Sequence, residues 1–186
     1  MPYFGGMKLF NTLSLVAVLA LFGTNYASAQ KPDAVFSKAT IDIGITVADV
    51  EKSATFYSEV LGLIEVKGFK VSAEKAANLG LTDNQPVNIR VFVLNDAEGA
   101  TTARIKLMAF PSTPGVKPDQ KFIHSTIAIS YLTLFVNDID LAVERLKKAK
   151  VKLLGKTPVD LGGGRFLAAV QDPDGNFIEL IGPSKK

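Results

Sequence analysis

IDIGITVADVEKSATFYSEVLGL, residues 41–63, decides the architecture of this 186-residue chain. Ile41, Ile43, Ile45 and Val47 alternate with Asp42, Gly44 and Thr46, so a short strand packs one face and offers the other. Asp49 then caps a helix. Val50, Ala54, Phe56, Tyr57, Val60 and Leu61 make its apolar side, and Gly62 stops it. The same plan returns in YLTLFVNDIDLAVERLKKAKV, residues 131–151. There Leu132, Leu134 and Val136 alternate with Tyr131, Thr133 and Phe135, and Asp138 takes the place of Asp49. Ile139, Ala142, Val143 and Leu146 form the second helix face. Matching the two Val-x-Asp turns gives an offset of 89 residues, which sets Asp42 against Tyr131.

Strands are expected after each helix, over 63–71, 88–94 and 104–110 in the first copy. In the second they are expected over 152–154, 165–171 and 176–182, with the DPDG of residues 172–175 turning between the last two. The closing strands repeat as well, IKL at 105–107 against IEL at 178–180, so Lys106 falls on Glu179. The expected class is α+β, two tandem βαβββ modules. Module one covers about 40–110 and module two about 120–184, joined by the proline-rich PSTPGVKPD of residues 111–119.

The beginning of the chain reads differently. Lys8 precedes the ten-residue apolar run LSLVAVLALF, and Ala27-Ser28-Ala29 forms a cleavage site of the A-x-A kind. Residues 1–29 are therefore expected to be a secretory signal peptide and 30–39 a linker before a domain over 40–184. The run is short for a bilayer span, so no stable membrane anchor is expected. The expected location is periplasmic or secreted, after cleavage near Ala29. The chain has no cysteine, which removes disulfides, thiol nucleophiles and thiolate metal sites. Its formal net charge of +3 is dispersed, without the basic block of a nucleic-acid partner.

The segments VADVEKSATFYSEVLGL and VNDIDLAVERLKKAKV…DPDGNFIELIGP resemble the vicinal oxygen chelate (VOC) superfamily. That superfamily contains glyoxalase I, bleomycin-resistance proteins, fosfomycin-resistance enzymes and extradiol dioxygenases. The resemblance implies a cup built from the two curved sheets. It also implies four ligand positions around a divalent ion, from the first and last strand of each module. Carried over, these become Asp42, Lys106, Tyr131 and Glu179, of which Glu179 alone keeps its type. With one histidine in the chain, the two-His iron site of a dioxygenase is ruled out. A protonated lysine cannot ligate a divalent ion, so a metal cofactor is disfavoured; Asp42 and Glu179 are its ligands if one binds.

Two arrangements of these four residues fit the sequence. In one, the Lys106 ammonium bridges Asp42 and Glu179 in the metal's place, with the Tyr131 hydroxyl completing the hydrogen bonds. In the other, Lys106 reaches solvent and the four do not meet. Phe135 and Phe177 share the parity of Tyr131 and Glu179 and are expected to line the cup, with Thr46 and Thr133. Arg165, in LGGGRF, is placed on the rim, able to meet an anion. That glycine run lacks the residues of a phosphate loop and reads as a hairpin. His124 stands seven residues before Tyr131, on the opposite face if one strand holds both.

Two functions follow. The first is an exported binder of a small organic molecule with a degenerate, metal-free site. The second is a glyoxalase-type lyase, isomerase or epimerase, with Glu179 as base and Lys106, Tyr131 or a metal as electrophile. The resemblance also implies a homodimer.

Overall fold

The computed structural model describes residue 37 and residues 40–94 and 102–186. The expected signal peptide and, apart from Ser37, the expected linker lie outside the described residues. Module one runs β1 (Asp42–Thr46), α1 (Val50–Thr55), β2 (Ile64–Val71), α2 (Ala73–Asn78), β3 (Val87–Val93) and β4 (Arg104–Met108). Module two runs β5 (Tyr131–Phe135), α3 (Ile139–Lys148), β6 (Val159–Gly162), β7 (Arg165–Gln171) and β8 (Phe177–Pro183). The sheet orders are β1-β4-β3-β2 and β5-β8-β7-β6, the same path twice. The first strand of each module pairs parallel to the last and the other pairs are antiparallel, giving two βαβββ modules of α+β class.

Local chemistry starts both helices. The Asp49 carboxylate accepts from the backbone N–H of Glu51 and Lys52, and Asp138 does the same for Asp140 and Leu141. α1 continues as a wider π-type turn over Phe56–Val60, closed by Leu61 N–H donating to the Phe56 carbonyl. The inward faces meet in one core. Tyr57, Phe92 and Leu107 from module one and Ile139, Leu146 and Ile178 from module two are fully or almost fully buried in it.

A polar latch ties the modules together. The Asp174 carboxylate accepts from Ala48 N–H and from the Ser53 hydroxyl, at 3.1 and 3.2 Å. Buried Asp172 accepts from the Tyr57 hydroxyl at 3.0 Å. The DPDG turn is therefore an anchor on the α1 region as well as a connection between β7 and β8.

Two elements differ from expectation. β6 lies at Val159–Gly162, not at 152–154. Val151 and Leu153 pack against the core, which explains their apolar pattern, while β7 takes its ladder partners from Val159, Asp160 and Gly162. α2 is the second difference. Ser72 caps it by accepting from Lys75 N–H, and it seats fully buried Ala76 with Val87, Ile89 and Val91 in a second, smaller core. Val91 shares a register position with Lys106, so this small core lies on the outward face of the first sheet, away from the shared core. β2 reaches this arrangement through a bulge between Val66 and Phe69. Gly68 is required there, because a Cβ would collide with the Ile89 carbonyl oxygen.

Candidate functional site

Strand alternation sorts the outward-facing residues. On β1 these are Asp42, Gly44 and Thr46, and β4 adds Lys106 opposite Gly44. On module two, Tyr131 pairs with Phe177, Thr133 with Glu179 and Phe135 with Ile181, so all six share one face. Gly44–Lys106 and Thr133–Glu179 are equivalent pairs in the two parallel ladders.

The polar groups at these positions form two separate pairs. Lys106 Nζ lies 2.8 Å from Asp42 Oδ2, with the Phe69 ring centroid 5.7 Å away on its other side. In module two the Thr133 hydroxyl donates to Glu179 Oε2 at 2.7 Å. No ion pair joins Lys106 to Glu179 among the described residues, and the Tyr131 hydroxyl has no protein partner there. The expected double bridge is thus present only in its Lys106–Asp42 half. Lys106 stands opposite a glycine and turns two residues along β1 to find its carboxylate, while Glu179 takes its donor from the adjacent threonine.

A cleft of about 410 Å³ adjoins the pairs, between β1 of module one and the starts of β5 and β8. Ile43, Ile45, Phe110, Leu132 and Phe177 are among its apolar lining, and Tyr131, Thr46, Gln120 and Asp174 among its polar points. The linker from Pro111 to Pro118 forms the remaining side. Tyr131 and Phe177 belong to both the cleft and the outward face of β5 and β8, whereas Asp42, Lys106 and Glu179 do not line the cleft. Phe135 projects further along the same face and is 76% exposed. Arg165 is exposed beside Pro183, four residues along β8 from Glu179. His124 is on no strand; it lies in the exposed stretch between the linker and β5, its ring stacked 5.4 Å from that of Phe122.

The residues do not fit a divalent ion at the four positions. A cation already neutralises Asp42, and one carboxylate, one phenol and one hydroxyl remain in module two. Among the described residues no group of three or more His, Cys, Asp or Glu side chains converges as a metal site would. Titration behaviour is perturbed elsewhere. Burial, then the charge and hydrogen bond of Asp172, push the Tyr57 phenol far above its ordinary range. The hydrogen bond from Arg90 holds Glu65 below the usual carboxylate range.

Three features escape the sequence reading. Phe69 reaches Lys106 only because the Gly68 bulge resets the strand's alternation. The linker is a wall of the cleft as well as a connection. α2 covers part of the outward face of module one; the pattern of Ser72 as cap and Gly80 with φ +70 after its end was the available signal.

Residues 40–180 match the family model of the Glyoxalase/Bleomycin resistance protein/Dioxygenase superfamily. Among solved structures, a glyoxalase family protein from Bacillus cereus is 24% identical, covering 81% of this chain and 98% of its own, with a TM-score of 0.65. A trypanothione-dependent glyoxalase I from Leishmania major is 21% identical, covering 78% and 87%, with a TM-score of 0.52. An antibiotic binding protein from Streptomyces sp. is 23% identical, covering 81% and 98%, with a TM-score of 0.50. No protein with a curated description matches the chain by sequence.

Proposed function

The chain belongs to the glyoxalase/bleomycin resistance protein/dioxygenase superfamily, and from that premise we propose that it is an exported protein binding a small organic molecule in the cup, without a divalent ion at the family's ligand positions. The observation behind this reading is the 2.8 Å ion pair of Lys106 with Asp42. It puts a fixed positive charge where a metal would need an empty, anionic pocket. The nearby cleft of about 410 Å³ is of the size and apolar character that hold small organic ligands. A solved antibiotic binding protein of the same fold is a precedent for an organic ligand in this superfamily. The lyase or isomerase alternative needs an electrophile; Lys106 is committed to Asp42 away from Glu179, which leaves Tyr131 for that role. The apolar run and A-x-A site before Gln30 support export.

Metal titration tests the reading. The processed protein, recovered from the exported fraction and expected to begin at Gln30, is titrated with Zn, Ni, Mn and Fe(II) by calorimetry. The wild type is expected to bind none tightly. Lys106→Glu, which replaces the ammonium with a carboxylate beside Asp42, is expected to gain affinity for at least one ion. One tightly held ion per wild-type chain would refute the metal-free site, and an unprocessed cytoplasmic product would refute export.

A further inference from the structure

We propose that the cup selects an amphiphilic aromatic cation: a flat apolar body in the cleft and a basic nitrogen on Glu179. The inference rests on the binding function proposed above and adds the chemical class of the ligand.

The asymmetry between the two outward faces comes first. On module one, α2 and its buried Ala76 cover the β3 part of the face, and Lys106 beside it has Asp42 and the Phe69 ring as partners. Among the described residues no helix covers the equivalent face of module two; Tyr131 is 48% and Phe135 76% exposed. An uncovered apolar and aromatic face is where a ligand gains contact area.

Charge then sets the sign. Lys106 already has its carboxylate partner and is not free to hold an anion. Glu179 receives one hydrogen bond, from Thr133 to Oε2, and Oε1 receives none from the protein among the described residues. Arg165, on β7, pairs with Pro183, about 13 Å along β8 from Glu179 at the rise of a strand, and no ion pair joins the two among the described residues. Gln120, which lines the cleft, keeps its side-chain oxygen buried with no hydrogen-bond partner. Lys117, the one Lys or Arg among the cleft-lining residues, is exposed, and Asp174 lines the same cleft. The carboxylate left with a free oxygen on this face is thus Glu179, and it asks for a donor or a positive charge.

Strand geometry gives the spacing. Tyr131 and Phe177 mark the cleft end, and Thr133 and Glu179 lie one alternation further along the same parallel pair. That step is about 7 Å. An aromatic body held at Tyr131 and Phe177 therefore places a nitrogen on Glu179 if a short chain of about that length joins them.

Three probes with one aromatic body and matched tails test this: dansylcadaverine with its terminal ammonium, its neutral N-acetyl form, and dansyl-6-aminohexanoic acid with a terminal carboxylate. Dansyl fluorescence reports each affinity on the full processed chain at low salt. The ammonium probe is expected to bind about tenfold more tightly than the neutral one, as a charge-assisted hydrogen bond gives, and more tightly still than the anion. Glu179→Gln is expected to bring the three affinities close together, with thermal unfolding reporting that the variant folds. Equal or reversed preference in the wild type, or a preference that survives Glu179→Gln in a folded protein, overturns the assignment while leaving the binding function in place. Failure of all three probes to bind overturns the binding function and this inference together.

Discussion

The hydrogen bond between Tyr57 and Asp172 offers the sharpest test of how the two modules are held. Tyr57 is 0% and Asp172 5% exposed, so water cannot replace either partner if the other is lost. Asp172 accepts four bonds: from Asp174 N–H and Asn176 N–H at 2.9 Å each, from Asn176 Nδ2 at 2.8 Å and from the Tyr57 hydroxyl at 3.0 Å. Tyr57→Phe keeps the ring that packs on Phe56 and Phe92 and removes one of the four. A bond to a charged acceptor supports a loss of about 2 kcal/mol. Asp172→Ala strands several donors at once, for a loss of about 3–5 kcal/mol. In the double variant the phenol no longer lacks a partner, so the two losses should fall short of additivity by about 2 kcal/mol. Urea unfolding of the four proteins measures this. The same pair predicts a pH effect. The folded-state value of Tyr57 is raised above its ordinary 10.0. Its contribution is therefore complete below pH 10 and is lost as pH rises beyond that, because the unfolded phenol ionises first. Tyr57→Phe should flatten that alkaline decline. A Tyr57→Phe loss under about 0.5 kcal/mol, or full additivity with Asp172→Ala, would show that the bond adds little.

On the acid side, Glu65 is held below its ordinary 4.5 chiefly by the Arg90 hydrogen bond, so its contribution is present above that pH and lost as pH falls below it. Its partial exposure limits the effect to a few tenths of a kcal/mol, and Arg90→Met should remove that part of the acid dependence of urea unfolding. At Gly182, a Cβ would collide with the Val136 carbonyl oxygen where β8 runs beside the end of β5. Gly182→Ala should cost more than 2 kcal/mol by the overpacking of a tight site, read as a lower thermal midpoint (~2–3 kcal/mol).

Much of the fold was legible because its signals are local. The Asp49 and Asp138 caps, the DPDG turn and the period-two strands each depend on a few adjacent residues, and the offset of 89 linked them into a repeat. Parity within β1, β4, β5 and β8 likewise put Asp42, Lys106, Tyr131, Phe135, Phe177 and Glu179 on outward faces. What was not legible depends on distance. Whether Lys106 reaches Asp42 or Glu179 is decided by the placement of two sheets, which no local pattern encodes. β6 was displaced because Leu153 is apolar for the core's sake, a role that looks like a strand in the sequence. The Gly68 bulge hid Phe69, since one irregular residue reverses every later inference from alternation.

Equivalent backbone positions in the two modules have taken opposite chemistry, and one side chain accounts for much of it. Opposite Glu179 stands Thr133, whose hydroxyl donates to one carboxylate oxygen and leaves the other free on the outward face. Opposite Lys106 stands Gly44, which offers no partner. A side chain there would also crowd the Met108 methyl, at 3.1 Å from the position a Cβ would take. The ammonium therefore turns to Asp42, and Phe69 closes its other side. One half of the cup has its charges paired within the protein and is partly covered by α2; the other stays aromatic, with a single carboxylate. A symmetric scaffold with symmetric ligands suits a shared metal ion. A scaffold whose halves have diverged in this way has its polar contacts split, one pair satisfied within the protein and one left facing outward, which suits an asymmetric organic molecule with distinct apolar and charged ends.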